Sequence, residues 1–251
     1  MCIVSGAEAH RIGRALASVA GFAREIIVVL NADVADGTEE IALRYGARVF
    51  RESWKGFVGQ KNSAAEKAGQ PWLLNLDADE VVSPELAGEI ANVISVDDQT
   101  FAAYKFPRCT FYCGHWIRHG DWYPDRVLRL SRRGAARWIG EEPHAHLEVN
   151  GRVGRLSADL LHYSNESIAR QIAKIAPYHE NRVRDIVASG RSHGIVELAV
   201  RPFWRFVRAY FLRLGFLDGW QGFYIASLSS FSTLTKLALV REAQERNSGP
   251  T

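Results

Sequence analysis

Over its first hundred residues the sequence alternates between short apolar runs and longer amphipathic ones, and this alternation restricts the fold more than any other feature. "CIVS", "EIIVVL", "ARVF" and "WLLNL" have the length and branched apolar content of strands. Between them, "RIGRALASVAG", "DGTEEIALRYG" and "GQKNSAAEKAG" read as helices, the second stopped by Gly46. A further helix, "SPELAGEIANVI", has Ser83 at its N-cap, Pro84 at the first helical position and Glu85 in the first turn. Strands separated by single helices imply a parallel, doubly wound α/β sheet. Such sheets bind ligands beyond the carboxyl ends of their strands. The loops "NADVADGT" and "DADE" both lie at such ends and are expected to converge on one cleft.

The second loop carries the chemistry. An apolar run ends in Asp77, Asp79 and Glu80 within four residues. Asp77 and Asp79 at a strand end can converge on one ion if the chain turns there, and hard oxygen ligands completed by substrate phosphates suit Mg²⁺ or Mn²⁺. The competing reading is a polar strand end followed by a helix cap. No G-x-G-x-x-G or G-x-x-x-x-G-K-[ST] phosphate loop is present, so a nucleoside diphosphate bound here would need a metal to neutralise it.

Hydrophobic residues make up 47% of the 251, enough for a sizeable core. Three cysteines are too few and too odd for a secreted disulfide framework and point to a reducing, cytoplasmic setting. Cys109, Cys113 and His115 have the wrong spacing for a common zinc site. The net charge of +3 is unevenly placed: from Arg201 onward there are seven Lys and Arg against three acids, which leaves the preceding residues at −1. A basic tail argues for an anionic partner there. On a helix over Arg201–Leu217, Arg201, Arg205 and Arg208 share one face and Phe203, Phe206, Val207, Tyr210, Leu214 and Leu217 the other. That pattern fits an interfacial helix on anionic lipid. Gly219–Thr235 is uncharged, but its Ser, Thr, Gln and Gly content makes it a poor spanning helix. The expectation is a peripheral protein on the inner face of the cell membrane, with no role for nucleic acid.

The middle of the chain is aromatic and Arg-rich, with strand-like pieces at "FAAYKF", "RVLRLS" and "DLLHYS", and a long helical pattern runs from Glu166 to Ser189. "SGRSHG" suggests a boundary, giving 1–190 as a catalytic domain and 191–251 as a helical tail.

The segments "HRIGRALASVAGFAREIIVVLNADVADGTEEIALRYGARVF", "GQKNSAAEKAGQPWLLNLDADE", "GDWYPDRVLRLSRRGAARW", "GRVGRLSADLLHYS" and "FLRLGFLDGWQGF" resemble a family 2 glycosyltransferase, and within it the lipopolysaccharide core glucosyltransferases. The resemblance implies a GT-A fold with a Rossmann-like nucleotide-sugar-binding sheet. It implies inverting, metal-dependent transfer of a hexose from a nucleotide-diphosphate sugar, such as a UDP-sugar, to an envelope glycolipid. Asp77 and Asp79 fall on the family's D-x-D, Gln60, Lys61 and Asn62 on a donor-side segment, and Asn31 where the family usually has an Asp facing the base. His162 is a candidate third metal ligand. Arg126, Arg129, Arg132 and Arg133 are candidates to face the diphosphate.

The chain also departs from the family pattern. An early Asn-Glu pair stands as Ala7-Glu8, and "VHE" stands as Pro143-His144-Ala145, which loses an acid. Inverting transfer needs a group to take the acceptor's proton. Glu142, Glu141, His144 and Asp125 are the candidate replacements. Two alternatives remain open from the sequence. "LLNLDADEVV" also fits a haloacid-dehalogenase-type phosphatase, with Asp77 as nucleophile and Asp79 as acid/base. The departures at Ala7, Asn31 and Ala145 also suit a catalytically impaired nucleotide-sugar-binding protein.

Overall fold

The computed structural model describes residues 1–141, 145–164, 167–191 and 194–248. They form two compact units, Met1–Cys109 with Asp125–Tyr163, and Thr110–Pro124 with the residues from Ser164 onward. The second unit therefore begins well before residue 191, where the sequence suggested a boundary. The long helix expected to close the first domain packs instead on the last helix of the chain.

In the first unit, β1 (Cys2–Ser5), α1 (Ile12–Val19), β2 (Ile27–Asn31), α2 (Thr38–Arg44), β3 (Arg48–Glu52), α3 (Gly56–Lys67) and β4 (Trp72–Leu76) follow the alternation read from the sequence. The strands pair in the order β3-β2-β1-β4, all parallel. β1, β2 and β4 are apolar almost throughout and largely buried, with Ile27, Val28, Val29 and Leu30 leaving no exposed surface, whereas the edge strand β3 is charged and partly exposed. α1 buries Ile12, Ala15, Leu16 and Val19, the one-sided spacing of an amphipathic helix. β5 (Glu80–Val82) precedes α4 (Pro84–Val96), whose Ser83 hydroxyl accepts the Leu86 N–H at 3.1 Å as the sequence suggested.

The sheet then turns antiparallel. It continues through β8 (Asp125–Arg132) to β6 (Ala103–Tyr112), β12 (Leu160–Tyr163) and β5. β9 (Ala136–Ile139) and β10 (His146–Val149) form a separate hairpin, and β11 (Val153–Arg155) runs parallel to β6. The pairing of β5 with β12 sets His162 opposite Glu80, and so next to Asp79.

The second unit holds the last residues of β6, paired with β7 (His115–Ile117), and α5 (Ile168–Ala188), α6 (Ile195–Val207) and α7 (Gly219–Ser248). Tyr112, Ile117 and Ile225 form its small core. The single helix expected over 201–217 is broken. α6 ends at Val207, a π-helical turn covers Arg208–Leu212, Leu214 takes a positive φ of 58°, and a 3₁₀ turn covers Gly215–Asp218. The break brings the chain back on itself: a Cβ at Gly222 would lie 1.8 Å from the Gly215 carbonyl oxygen, so only glycine fits there.

The arginines expected on that helix are at least partly exposed, but each is paired with an acid. Arg201 pairs with Glu197 at 2.7 Å, while Arg205 and Arg208 both meet Asp121. By length and composition alone, the segment Gly215–Arg246 is long and apolar enough to cross a bilayer.

Candidate functional site

A cleft of about 980 Å³ opens in the first unit beyond the carboxyl ends of β1, β2 and β4. This is where a parallel sheet places its ligands, and the volume lies at the upper end for small-molecule sites. The two loops expected to converge do so: Asn31, Asp77 and Asp79 all line it. Its charged lining comprises Arg11, Lys61, Arg108, Arg126 and Arg129 against Glu8, Asp77 and Asp79, five cations to three anions. Such a surface attracts polyanions.

Asp77 sits in a web of charges. Lys61 Nζ donates to its Oδ1 at 2.7 Å and Arg129 Nη2 to its Oδ2 at 2.6 Å. The same Arg129 nitrogen donates to Glu80 Oε1 at 2.9 Å, and Arg108 Nη1 reaches that oxygen at 3.2 Å. Glu80, fully buried, also accepts the backbone N–H of Asp77 at 3.0 Å, which fixes the turn that carries the acids. Burial would raise the Asp77 carboxyl, but the charges of Arg129 and Lys61 outweigh it and hold the group well below the usual carboxylate range. Lys61 itself lies over the Trp138 ring, 4.3 Å from its centre.

Asp79 has a different surrounding. Its Oδ2 accepts from Arg11 Nη1 at 3.1 Å and lies 3.6 Å from His162 Nε2. Burial again works to raise its carboxyl, and the hydrogen bond and charge of His162 with the charge of Arg11 overcome it, so the group is lowered. Arg11 is held by a second carboxylate, Glu8.

The three-ligand set Asp77, Asp79 and His162 is not assembled. Asp77 commits both oxygens to Lys61 and Arg129, which leaves Asp79 and His162 facing each other. Among the described residues no three His, Cys, Asp or Glu side chains are grouped to hold a metal ion, and this also removes the Cys109–Cys113–His115 set. A pair such as Asp79 and His162 still fits Mg²⁺ or Mn²⁺, which commonly takes one or two protein ligands and fills its shell from substrate phosphates and water.

The other candidates divide. Lys61 and Asn31 line the cleft, and Gln60 Nε2 donates to Asn31 Oδ1 at 3.3 Å. Asn62 does not line it: its side chain both accepts from the Trp138 N–H and donates to the Trp138 carbonyl, at 2.9 Å each, and so ties α3 to β9. Asp125 is bound by Arg108 at 2.6 Å, outside the cleft lining, and Glu141 is exposed and also outside it. Glu142 and His144 lie outside the described residues. Of the four arginines, Arg126 and Arg129 line the cleft, Arg132 pairs with Asp97 at 2.8 Å and covers Trp72, and Arg133 is exposed and outside the lining.

The phosphatase reading is not favoured by this geometry. Its acid-bearing strand would open the fold, whereas here β4 follows three strand–helix units. A nucleophilic Asp77 would also have to leave two cations that hold it at 2.6–2.7 Å.

A model of glycosyl transferase family 2 matches residues 2–148. An uncharacterized glycosyltransferase of Rickettsia typhi is 31% identical over 250 residues, covering 96% of this chain and 85% of that protein. The lipopolysaccharide core biosynthesis glycosyltransferase LpsC of Rhizobium meliloti is 28% identical over 221 residues, covering 84% and 82%. In the solved structures, S. aureus TarS in complex with UDP-GlcNAc superposes with a TM-score of 0.52 at 14% identity, covering 98% of this chain and 90% of that one. Mannosyl-3-phosphoglycerate synthase from Rubrobacter xylanophilus gives 0.50 at 15% identity, covering 77% and 75%. These likenesses identify the fold as GT-A.

Proposed function

The chain belongs to glycosyltransferase family 2, and from that premise we propose that it moves a hexose, with inversion, from a UDP-sugar or similar nucleotide-diphosphate sugar to an envelope glycolipid of the lipopolysaccharide-core type. The observation that carries the donor reading is the cleft itself, in which Arg11, Lys61, Arg126 and Arg129 face one space of nucleotide-sugar size. The relation to LpsC supports the acceptor class.

In this reading Asp79 and His162 would hold a divalent ion, which would supply positive charge at the donor's diphosphate. Asn31 contacts the base side of the donor. Arg129 and Lys61 keep Asp77 ionised and turned into the cleft. The test is calorimetry of a panel of nucleotide sugars with and without Mn²⁺. One member should bind with a clear dependence on the metal, and a flat response across the panel would sink the donor reading. The impaired-binder alternative separates at the next step, since it predicts tight binding without turnover on any acceptor.

The acceptor's proton needs a base, and we assign it to Glu142. Ala145, His146 and Leu147 line the cleft just after it in sequence. Glu142→Gln should lower turnover about 10²–10⁴-fold with donor affinity nearly unchanged. Steady-state rates beside a binding isotherm check this; unchanged turnover moves the role to His144.

A further inference from the structure

We propose that the broken turn between α6 and α7 docks on an anionic lipid bilayer, with Arg205, Arg208 and Arg213 taking lipid phosphates while the apolar side chains around them enter the interface. This deepens the glycolipid reading of the acceptor, but it rests on separate residues in the second unit.

Three guanidinium groups gather on one carboxylate. Arg205 Nε, Arg208 Nη2 and Arg213 Nη1 lie 2.6, 2.9 and 3.1 Å from the oxygens of Asp121. The Asp121 side chain is 2% exposed, whereas the arginines keep 41, 35 and 47% of their side-chain surface in solvent. Each guanidinium carries five donors, and a carboxylate offers about four acceptor sites. Asp121 alone therefore cannot satisfy all of their donors, and each arginine keeps at least a third of its side-chain surface in solvent. The Arg205 contact is also short without hydrogen-bond alignment, so charge alone holds it. A cluster of net charge +2 with spare forked donors suits a phosphate monoanion.

The surroundings are apolar. The Phe206, Tyr210, Phe211, Phe216 and Phe223 rings form one connected cluster, with centres 5.0–6.3 Å apart. At its edge Phe211, Leu212, Leu217 and Trp220 are each more than half exposed. Leu214 holds a positive φ of 58° and is 45% exposed, so it bears backbone strain with little packing in return. From Leu198 to Val240 the only acid is Asp218, and it is 2% exposed, accepting the N–H groups of Arg118 and His119. The surface thus presents cations and hydrocarbon without an exposed anion.

These features choose the occupant. A second copy of the chain would set one arginine cluster against another across a two-fold axis. Nucleic acid would meet the cations but not the leucines. An anionic bilayer meets both, because phosphates lie at the depth of the arginines and acyl chains below.

Co-sedimentation of the full chain with vesicles, with no donor or acceptor present, tests this. The protein should pellet with phosphatidylcholine vesicles that contain phosphatidylglycerol, much less with phosphatidylcholine alone, and be released by salt. Arg213→Gln leaves Asp121 two partners and should weaken binding about fivefold. Phe211→Ser with Leu212→Ser should weaken it more than tenfold. Circular dichroism and donor binding should match the parent in both. Equal pelleting with neutral vesicles, no pelleting at all, or insensitivity to both variants overturns the proposal. So does membrane association that resists salt and alkaline carbonate, which would make α7 a spanning helix. Loss of donor binding in the parent would count against the transferase reading only.

Discussion

Replacing Arg129 with methionine is expected to lower the free energy of unfolding by about 3–5 kcal/mol, the usual cost of removing one partner from a buried ionic network. One Arg129 nitrogen joins Asp77 and Glu80, and Glu80 is fully buried. Methionine fills much of the volume but leaves both carboxylates facing a shortfall of charge. Arg129→Lys is the control. Since a single nitrogen bridges the two acids, a lysine ammonium can reach both, and it should recover a good part of the loss. Urea unfolding of the three proteins measures this.

The effect also has a defined pH dependence. Asp77 has a folded pKa below its unfolded value, so its contribution is fully present above about pH 4 and is lost as pH falls through the unfolded value toward the folded one. The gap between parent and Arg129→Met should therefore be widest near neutrality and narrow below about pH 4. A gap that stays constant into acid would mean that Arg129 acts through packing.

The parallel half of the fold was legible because it is locally determined. Branched apolar runs such as "IIVVL" become buried strands, Ser83 and Pro84 start a helix, and Gly46 ends one, each for reasons contained within a few residues. The antiparallel half was only partly legible. β5, β7, β9, β10 and β11 span three or four residues each, too short for a period of two to stand out, and several are half exposed. Their positions depend on partners far away in the chain. The break after α6 was missed because a periodic pattern over 201–217 carries no sign that Leu214 will take a left-handed backbone.

The site divides in the same way. The strand-end rule placed Asn31, Asp77 and Asp79 in one cleft from the sequence alone. Asn62 was misassigned for a geometric reason: adjacent residues on a helix point about 100° apart, so Lys61 enters the cleft while Asn62 turns to β9. Arg11 and Glu8 were not foreseen at all. Arg11 meets Asp79 across 68 residues of sequence, a contact that only the assembled sheet creates. Glu80 was visible as an acid, yet its burial beneath two arginines was not, because Arg108 and Arg129 come from β6 and β8.

Asp79→Ala should abolish the Mn²⁺-dependent part of donor binding and reduce sugar transfer by at least about 10²-fold, since a metal at a developing diphosphate supplies several kcal/mol. The fold should survive. The Asp79 carbonyl still accepts the Tyr163 N–H, and Arg11 keeps Glu8 as a partner. The substitution also removes one of three anions from a cleft with five cations. Electrostatics alone then predicts that the metal-free variant binds nucleotide at least as well as the metal-free parent. The two effects have opposite signs, which makes the pair of measurements decisive. With EDTA the variant should equal or exceed the parent, and with Mn²⁺ the parent should gain affinity while the variant does not. If the variant gains as much from Mn²⁺ as the parent, Asp79 holds no metal, and its role reduces to anchoring Arg11. If it loses affinity even in EDTA, the carboxylate touches the donor directly, and the ion reading of Asp79 with His162 falls.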